Sequence, residues 1–214
     1  MPNEIGYYEH LAEIMYKTRG CRFAAASALE IKERWSVGTV AFLSAYLVSW
    51  SVILVSYPEV FNSKHAAFYT AISAIASISL LVISLMDYAF GRSVQAEKLH
   101  QNALSISICM RELERELASK SPDVAAMQKI AIEYERHISA TQVNHTSMDF
   151  TRWTYNSAKA HGFVTIVWYP IRRILFNIWF YLSSMFMYVF LLTATIIPTI
   201  WYTYRFVIPS SFWQ

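Results

Sequence analysis

The stretch VGTVAFLSAYLVSWSVILVSY, Val37–Tyr57, runs for 21 residues without a charged side chain. A second run of 21 residues, AAFYTAISAIASISLLVISLM, covers Ala66–Met86 and carries no charge either. An α-helix of this length measures about 30 Å, which is the thickness of the hydrocarbon core of a bilayer. Pro58 follows the first run and indicates a short connection to the second. The two runs therefore predict a transmembrane helical hairpin.

A third apolar run stays uncharged from Ile174 to Tyr204. It is longer than one perpendicular span requires, and Pro198 divides it. We therefore expect a third transmembrane helix over 174–197, followed by an aromatic segment at the membrane interface. The alternative is a third helix that lies in the interface without crossing the bilayer.

Composition and charge place the chain in a membrane. The sequence is 55% hydrophobic and only 15% charged, whereas a soluble domain is about 25% charged. Lys and Arg are concentrated in residues 1–36 and 91–174, and the hairpin loop holds only Lys64. The positive-inside rule then predicts a multi-pass protein of the cytoplasmic membrane with a cytoplasmic N-terminus. Arg172 and Arg173, just before the third run, are expected to fix topology and meet lipid phosphates.

The segments outside the spans predict helices. Residues 1–36 favour an amphipathic helix that leads into the membrane. After the second span no proline intervenes before Pro122, so we expect that span to continue into the cytosol as one helix. Apolar residues there recur at alternating spacings of three and four, which is a heptad pattern. They are Ala96, Leu99, Ala103, Ile106, Met110, Leu113 and Leu117.

A second heptad pattern follows a turn in which Ser121 is the expected helix N-cap. Its members are Val124, Met127, Ala131, Tyr134, Ile138 and Thr141. The two patterns together predict a cytosolic antiparallel helical hairpin within 87–150. They indicate either packing within one chain or a coiled-coil association of subunits, and both interpretations remain open.

No motif of an enzyme is present, so we predict that the chain is not an enzyme and needs no cofactor. Glu133 and His137 lie four residues apart, a spacing that could bind a metal. A helix-surface role is favoured because a second ligand pair is missing, and no metal site is predicted. Cys21 and Cys109 lack metal-ligand spacing and are expected to be reduced thiols.

Small polar residues form a stripe within about 100° of one another on the second span. The candidate pore-lining residues among them are Thr70, Ser73, Ser77, Ser84 and Asp87. Such a stripe serves close helix packing, which physical reasoning alone favours, or it lines an aqueous path. Because one subunit cannot enclose a path with two or three spans, a pore would require a homo-oligomer.

Several short motifs, in order along residues 5–155, resemble those of the SLATT domains, two-transmembrane effector domains of bacterial conflict systems. The motifs are Tyr16–Ala24 (YKTRGCRFA), Ala96–Ala103 (AEKLHQNA), Tyr134–Ile138 (YERHI), Asn144-His145 and Asp149-Phe150. The resemblance divides the chain into a SLATT-like domain over 1–155 and a C-terminal extension over 156–214. The extension is similar to that of the branch found beside reverse-transcriptase genes.

The resemblance implies an all-α membrane protein that acts as an effector of anti-phage defence. It implies that the effector stays silent until a partner encoded nearby, a reverse transcriptase or a nucleotide-signal synthase or sensor, senses infection. Oligomers would then form a pore or disrupt the inner membrane and cause abortive infection. The family brings no catalytic residues. Its motif offers Tyr134, Asn144, His145 and Asp149 as candidate coupling residues, although capping roles for Asn144 and Asp149 are favoured.

Two other functions remain open. The first is a membrane-anchored binding or scaffold module whose cytosolic helices recruit a partner protein or nucleic acid. The second is a sensor of an anionic nucleotide that uses Arg152, Lys159, Arg172 and Arg173, although a topology role for the last two is favoured. A net charge of only +3 gives no sign of direct nucleic-acid binding.

Overall fold

The computed structural model describes residues 2–58, 61, 63–141, 144, 146–157 and 163–207. Within these ranges the chain is helical and contains no strand, which confirms the predicted all-α class. The helices in chain order are α1 (Pro2–Ser56), α2 (Ser63–Phe90), α3 (Arg92–Leu117), α4 (Val124–Ala140), α5 (Ser147–Ser157) and α6 (Phe163–Tyr202), and a π-helical turn, Thr203–Val207, follows α6.

Three helical segments of the described chain are long and apolar enough to cross a membrane: Ile5–Ser56, His65–Leu117 and Met185–Phe206. Large apolar side chains on these segments stay exposed, for example Val55 at 81% and Phe186 at 68%. Exposed apolar side chains along the uncharged stretches of these helices are suited to lipid or to other membrane helices. The third, C-terminal apolar helix predicted from the sequence is therefore confirmed.

The prediction that Pro198 divides the third run is wrong, because α6 continues through this residue to Tyr202. Proline lacks an N–H and removes one backbone hydrogen bond from a helix. Three threonines around it, Thr195, Thr199 and Thr203, donate their hydroxyls to carbonyls of the preceding turn, at 2.7–2.8 Å. Hydroxyl side chains of this kind help apolar helices to tolerate proline. The predicted aromatic interfacial segment covers 201–213. Residues 201–207 belong to α6 and the π-helical turn, and the rest of the segment lies outside the described residues.

The chain divides into two compact units. The core unit comprises Met1–Ile31 and Arg92–Ile178, and the span unit comprises Lys32–Gly91 and Trp179–Gln214. The helices α1 and α6 each contribute residues to both units, and the two units are described separately below.

The core unit is built around one hydrophobic cluster contributed by three helices. Its buried members are Tyr8, Leu11 and Met15 of α1, Ile106, Cys109, Met110 and Leu113 of α3, and Met127, Ile130 and Tyr134 of α4. The first heptad pattern therefore faces the interior of the chain. In the second pattern Val124 is an exception, since 40% of its surface is exposed. The start of α1 packs into this cluster as well as leading toward the first span.

The helices α3 and α4 run antiparallel. The side chain of Asn102, early in α3, donates to the carbonyl oxygen of His137, late in α4, at 2.6 Å. The expected N-cap at Ser121 is wrong, because the cap of α4 is Asp123, whose carboxylate accepts from the backbone N–H of Ala125 at 2.9 Å. A carboxylate is the stronger acceptor, and its negative charge also suits a helix N-terminus.

A single residue, Gly91, separates α2 from α3. Its φ of +52° lies in the left-handed region, which glycine enters without steric cost. Its N–H still bonds to the carbonyl of Asp87 at 3.1 Å. As predicted, a helix continues the chain directly after the second span. It is not unbroken, however, because Gly91 interrupts it between α2 and α3.

The span unit pairs the second half of α1 with α2. Ser36 contacts Asp87 near one end, and the ring of Trp50 stacks on that of Tyr69 nearer the other, with centroids 4.6 Å apart. Residues early in one helix thus meet residues late in the other, as in an antiparallel hairpin. This pairing is consistent with the predicted transmembrane hairpin.

Candidate functional site

The polar stripe of α2 faces mainly outward from the single chain. Thr70, Ser77 and Ser84 are exposed, whereas Ser73 and Asp87 are half-buried. The hydroxyls of Thr70 and Ser77 each donate to a carbonyl of their own helix at 2.8 Å. A hydroxyl satisfied in this way can enter lipid, pack against another copy or face water at little cost. The geometry therefore leaves most of the stripe uncovered by the rest of the chain.

The carboxylate of Asp87 closes the stripe and is held by α1. The buried hydroxyl of Ser36 donates to Asp87 Oδ2. One turn further along α1, Thr39 is also buried, and its hydroxyl has no hydrogen-bond partner in the described part of the chain. This end of the hairpin thus places Ser36 and Asp87 in contact between α1 and α2, with the buried hydroxyl of Thr39 one turn away on α1. An ionisable group near the end of a span costs less when a neighbouring helix donates to it.

The opposite end of α2 is tied to the C-terminal helix by aromatic and hydroxyl groups. His65 Nδ1 and the hydroxyl of Tyr202 share a hydrogen bond of 3.1 Å, and the hydroxyls of Tyr69 and Thr203 share one of 2.6 Å. The ring of Phe68 stacks on that of Tyr202 with centroids 3.8 Å apart. The apolar C-terminal helix is therefore bound to the hairpin by specific side-chain contacts.

A buried polar network joins three helices of the core unit. The guanidinium of Arg22 on α1 donates to Asn102 Oδ1 on α3, and the amide of Asn102 donates to His137 O and to Thr141 Oγ1. Arg22 and Asn102 are buried. Burial lowers the pKa of Arg22 from its ordinary value, yet a guanidinium remains charged at neutral pH. The hydroxyl of Tyr134 adds a bond of 3.2 Å to Thr18 on α1.

The candidate coupling residues occupy different positions around this network. Tyr134 is buried within it, as described above, and His145 lies outside the described residues. Asn144 is exposed in the connection before α5. Asp149 is buried in the first turn of α5, where its carboxylate accepts from the N–H and the hydroxyl of Thr146 at 2.8 and 2.7 Å. Thr146 and Asp149 thereby form a capping box that starts α5.

The basic pair ahead of the apolar part of α6 contacts α5. Arg172 donates to the hydroxyl of Tyr155, and Arg173 donates to Asn156 Oδ1, each at 2.9 Å. Both arginines are exposed. They therefore bond to protein side chains while remaining at the surface.

The remaining candidate groups for chemistry are two cysteines and one pair of titratable side chains. Cys21 and Cys109 are free and buried, and burial raises the pKa of the Cys21 thiol to about 11. Glu133 and His137 contact each other at 3.8 Å along one helix. No group of three potential metal ligands occurs within the described ranges.

Arg22, Asn102 and Ser36 hold these contacts together. Arg22 and Asn102 lie within the SLATT-like motifs Tyr16–Ala24 and Ala96–Ala103, but the sequence does not predict any of the three as a site residue. Asn102 lies beside the heptad pattern of α3, so a polar residue next to a buried face is the available signal. The partners of Arg22 and Ser36 lie 80 and 51 residues away in the sequence, and no local pattern pairs them.

The model of SMODS and SLOG-associating 2TM effector domain family 5, a SLATT family, matches residues 6–195. The chain belongs to this family. The match includes both helices of the hairpin, the core unit and most of α6, so it extends beyond the resemblance over residues 5–155. No curated protein and no solved structure shows significant similarity to the chain.

Membership of this SLATT family indicates a membrane effector of conflict systems. The matched description gives two transmembrane helices, whereas three segments here are long and apolar enough to span. The third segment, Met185–Phe206, extends past the end of the match. The branch beside reverse-transcriptase genes stays a prediction.

Proposed function

We propose that this SLATT protein oligomerises in the bacterial inner membrane and permeabilises it when a partner activates it, which causes abortive infection. One observation carries the proposal: the stripe of α2 is left largely uncovered by the chain's own helices. Polar side chains on an apolar helix either line an aqueous path or pack against another helix. A second copy of the chain would provide either environment. The N-terminus and the core unit would then lie in the cytoplasm, as the basic residues indicate.

The middle of α2 supports a role between copies. Ser77 bonds only within its own helix in the described contacts and is exposed. Apolar side chains beside the stripe, such as Ile78 and Leu81, are exposed to more than 60%. A face that combines exposed hydroxyls with exposed apolar groups suits a ring of subunits, in which the hydroxyls turn inward and the apolar groups meet lipid.

The test compares two serines with matched local geometry. Ser77 on α2 and Ser49 on α1 are both exposed, and each donates to the carbonyl four residues earlier at 2.8 Å. We expect Ser77→Leu, alone or with Ser73→Leu, to abolish dye release from liposomes and toxicity in cells. Ser49→Leu should preserve both, because it lies on the other span.

The liposomes must contain the protein together with its activating partner, proposed to be a reverse transcriptase or a nucleotide-signal synthase or sensor encoded nearby. Oligomer size is measured in parallel by cross-linking in the membrane. Loss of dye release with an unchanged oligomer assigns the stripe to the water path. Intact vesicles under activating conditions with the wild-type protein would contradict the proposal.

The alternative function, a membrane-anchored binding module, is favoured by one feature of the core unit. Leu104 and Ile108 on α3 and Ile132 on α4 lie outside the predicted spans, and their side chains are 41%, 51% and 60% exposed. Replacing residues 37–57 and 66–86 with unrelated apolar sequences of equal length separates the two functions. A binding module keeps its function after this exchange, whereas a pore loses it.

A further inference from the structure

An open groove lies between α1 and α5 within the core unit. Its volume is about 400 Å³. The residues that define its chemistry are Arg19, Phe23 and Ser27 of α1 and Arg152, Trp153 and Asn156 of α5. None of the described residues that line the groove is acidic.

The wall of the groove depends on close approach of the two helices. A Cβ atom added at Gly20 would lie 1.8 Å from Nε1 of Trp153, so a side chain there would displace the indole. The ring of Trp153 also meets Tyr16 edge-on, with centroids 5.8 Å apart. Glycine at this position therefore lets α5 place an aromatic wall directly on α1.

Positive charge is concentrated at the groove. Arg19 lies over the ring of Tyr16, with its guanidinium carbon 5.0 Å from the centroid. Arg152 is buried and donates to the carbonyl of Ala24 at 3.3 Å. Arg173 donates to Asn156 Oδ1, which brings a third guanidinium to the rim and orients the Asn156 amide. Contacts of this kind restrain the arginines, so less side-chain entropy is lost when an anion binds.

We propose that this groove binds the phosphate group of an anionic ligand. The guanidiniums of Arg19 and Arg152 contact the phosphate, since planar N–H donors match its oxygens. Phe23 and Trp153 provide apolar surfaces for the rest of the ligand. The phosphate belongs to a soluble nucleotide or to a lipid headgroup, which share this chemistry.

The groove shares Arg152 with the sensor suggested by the sequence alone, but its second phosphate-binding residue is different. That hypothesis grouped Arg152 with Lys159, Arg172 and Arg173; here Arg152 acts with Arg19, which comes from a distant part of the chain. Lys159 lies outside the described residues. Binding at the groove does not depend on whether the spans form a pore, because it is measured without membrane leakage.

The experiment uses the full-length protein in phosphatidylcholine nanodiscs. Isothermal titration with ATP and with pyrophosphate tests soluble phosphates. Nanodiscs that also contain phosphatidylglycerol test headgroups, through native mass spectrometry of the phosphatidylglycerol that the released protein retains. We expect Arg19→Gln and Ser27→Asp each to weaken binding about tenfold or more, because one removes a donor and the other adds a repelling charge. Arg115→Gln, an exposed change on α3 with the same loss of charge, is the control and should bind like the wild type.

Each outcome decides the proposal. Binding of ATP or pyrophosphate that the two groove variants weaken supports it with a soluble ligand, and retention of phosphatidylglycerol that they weaken supports it with a lipid. Ser27 is exposed, and a thermal-unfolding scan checks that both variants remain folded. Arg19→Lys should recover part of the affinity by restoring charge. Absence of all binding to the wild type, or groove variants that bind like Arg115→Gln, would overturn it.

Discussion

The two units use their polar side chains in different ways. In the core unit the polar groups bridge helices, as when Asn102 connects α1, α3 and α4. In the span unit most described hydroxyls bond to their own helix, among them Ser49, Ser51, Thr70, Ser77, Ser79, Thr193, Thr195 and Thr199. The hydrogen bonds between helices seen in the described part of this unit lie near the ends of α2, at Asp87 and at His65 and Tyr69.

This difference indicates that the helix arrangement of the core unit is fixed, whereas the middle of the spans can change the helices that it contacts. A buried polar bridge specifies one arrangement, because any other arrangement leaves a buried group unpaired. A hydroxyl that bonds to its own helix specifies no neighbour. The core unit is therefore suited to hold a defined state, and the middle of the spans is suited to change its contacts.

The largest loss of stability is expected at Asn102, and it tests whether polar bridges between helices hold the core unit. Asn102→Ala removes three hydrogen bonds and leaves the buried Arg22 without its acceptor, so we expect a loss of about 3 kcal/mol in the free energy of unfolding. The measurement is chemical unfolding in detergent followed by circular dichroism. Gln101→Ala, its exposed neighbour, should change stability by less than about 0.5 kcal/mol. Equal effects of the two changes would show that the bridge does not hold the core unit.

An intermediate effect is expected at Gly20. Gly20→Ala forces a Cβ atom against Trp153, and relief of that overlap should cost about 2 kcal/mol. Gly6 lies on the same helix, and a Cβ atom added there would have nothing within 4 Å. Gly6→Ala should therefore stabilise the protein by about 0.5–1 kcal/mol through helix propensity alone. Thermal unfolding of both variants measures this difference in stability. A Gly20→Ala variant as stable as the wild type would contradict the close contact of α1 and α5.

The smallest effects compare two serines within the span unit. Ser36→Ala removes a bond to the Asp87 carboxylate, and we expect a loss of about 1.5 kcal/mol. Ser77→Ala removes a bond within one helix and should cost no more than about 0.5 kcal/mol. Unfolding in mixed detergent micelles measures both. If Ser77→Ala proved the more costly, the stripe would already be engaged in the single chain.

Periodicity and charge predict much of this fold. The uncharged runs predict the spans because few other structures accommodate 21 such residues, and the spacing in α3 predicts which face is buried. The positions of the stripe residues on α2 follow from helical geometry. Their exposure does not, because it depends on where α1 and α6 pack.

The contacts between distant segments lie beyond what local patterns predict. Gly20 is an isolated glycine in a helical stretch, a signal of close backbone approach, but nothing local identifies Trp153 as its neighbour. Gly91 gives a similar signal of a special backbone position, but the absence of proline around it favours an unbroken helix. The groove beside Arg19 and Arg152 arises only when α5 docks on α1.

The self-bonded hydroxyls of α2 also bear on how the protein is made. During membrane insertion each helix must enter lipid before its neighbours are in place, and an unpaired polar group then costs several kcal/mol. The hydroxyls of Thr70 and Ser77 donate to carbonyls of their own helix, so this cost is already reduced when α2 enters the lipid alone. A newly synthesised chain can thus reside in the bilayer singly, and the oligomerisation proposed above would then be a separate step at which the cell can control the protein.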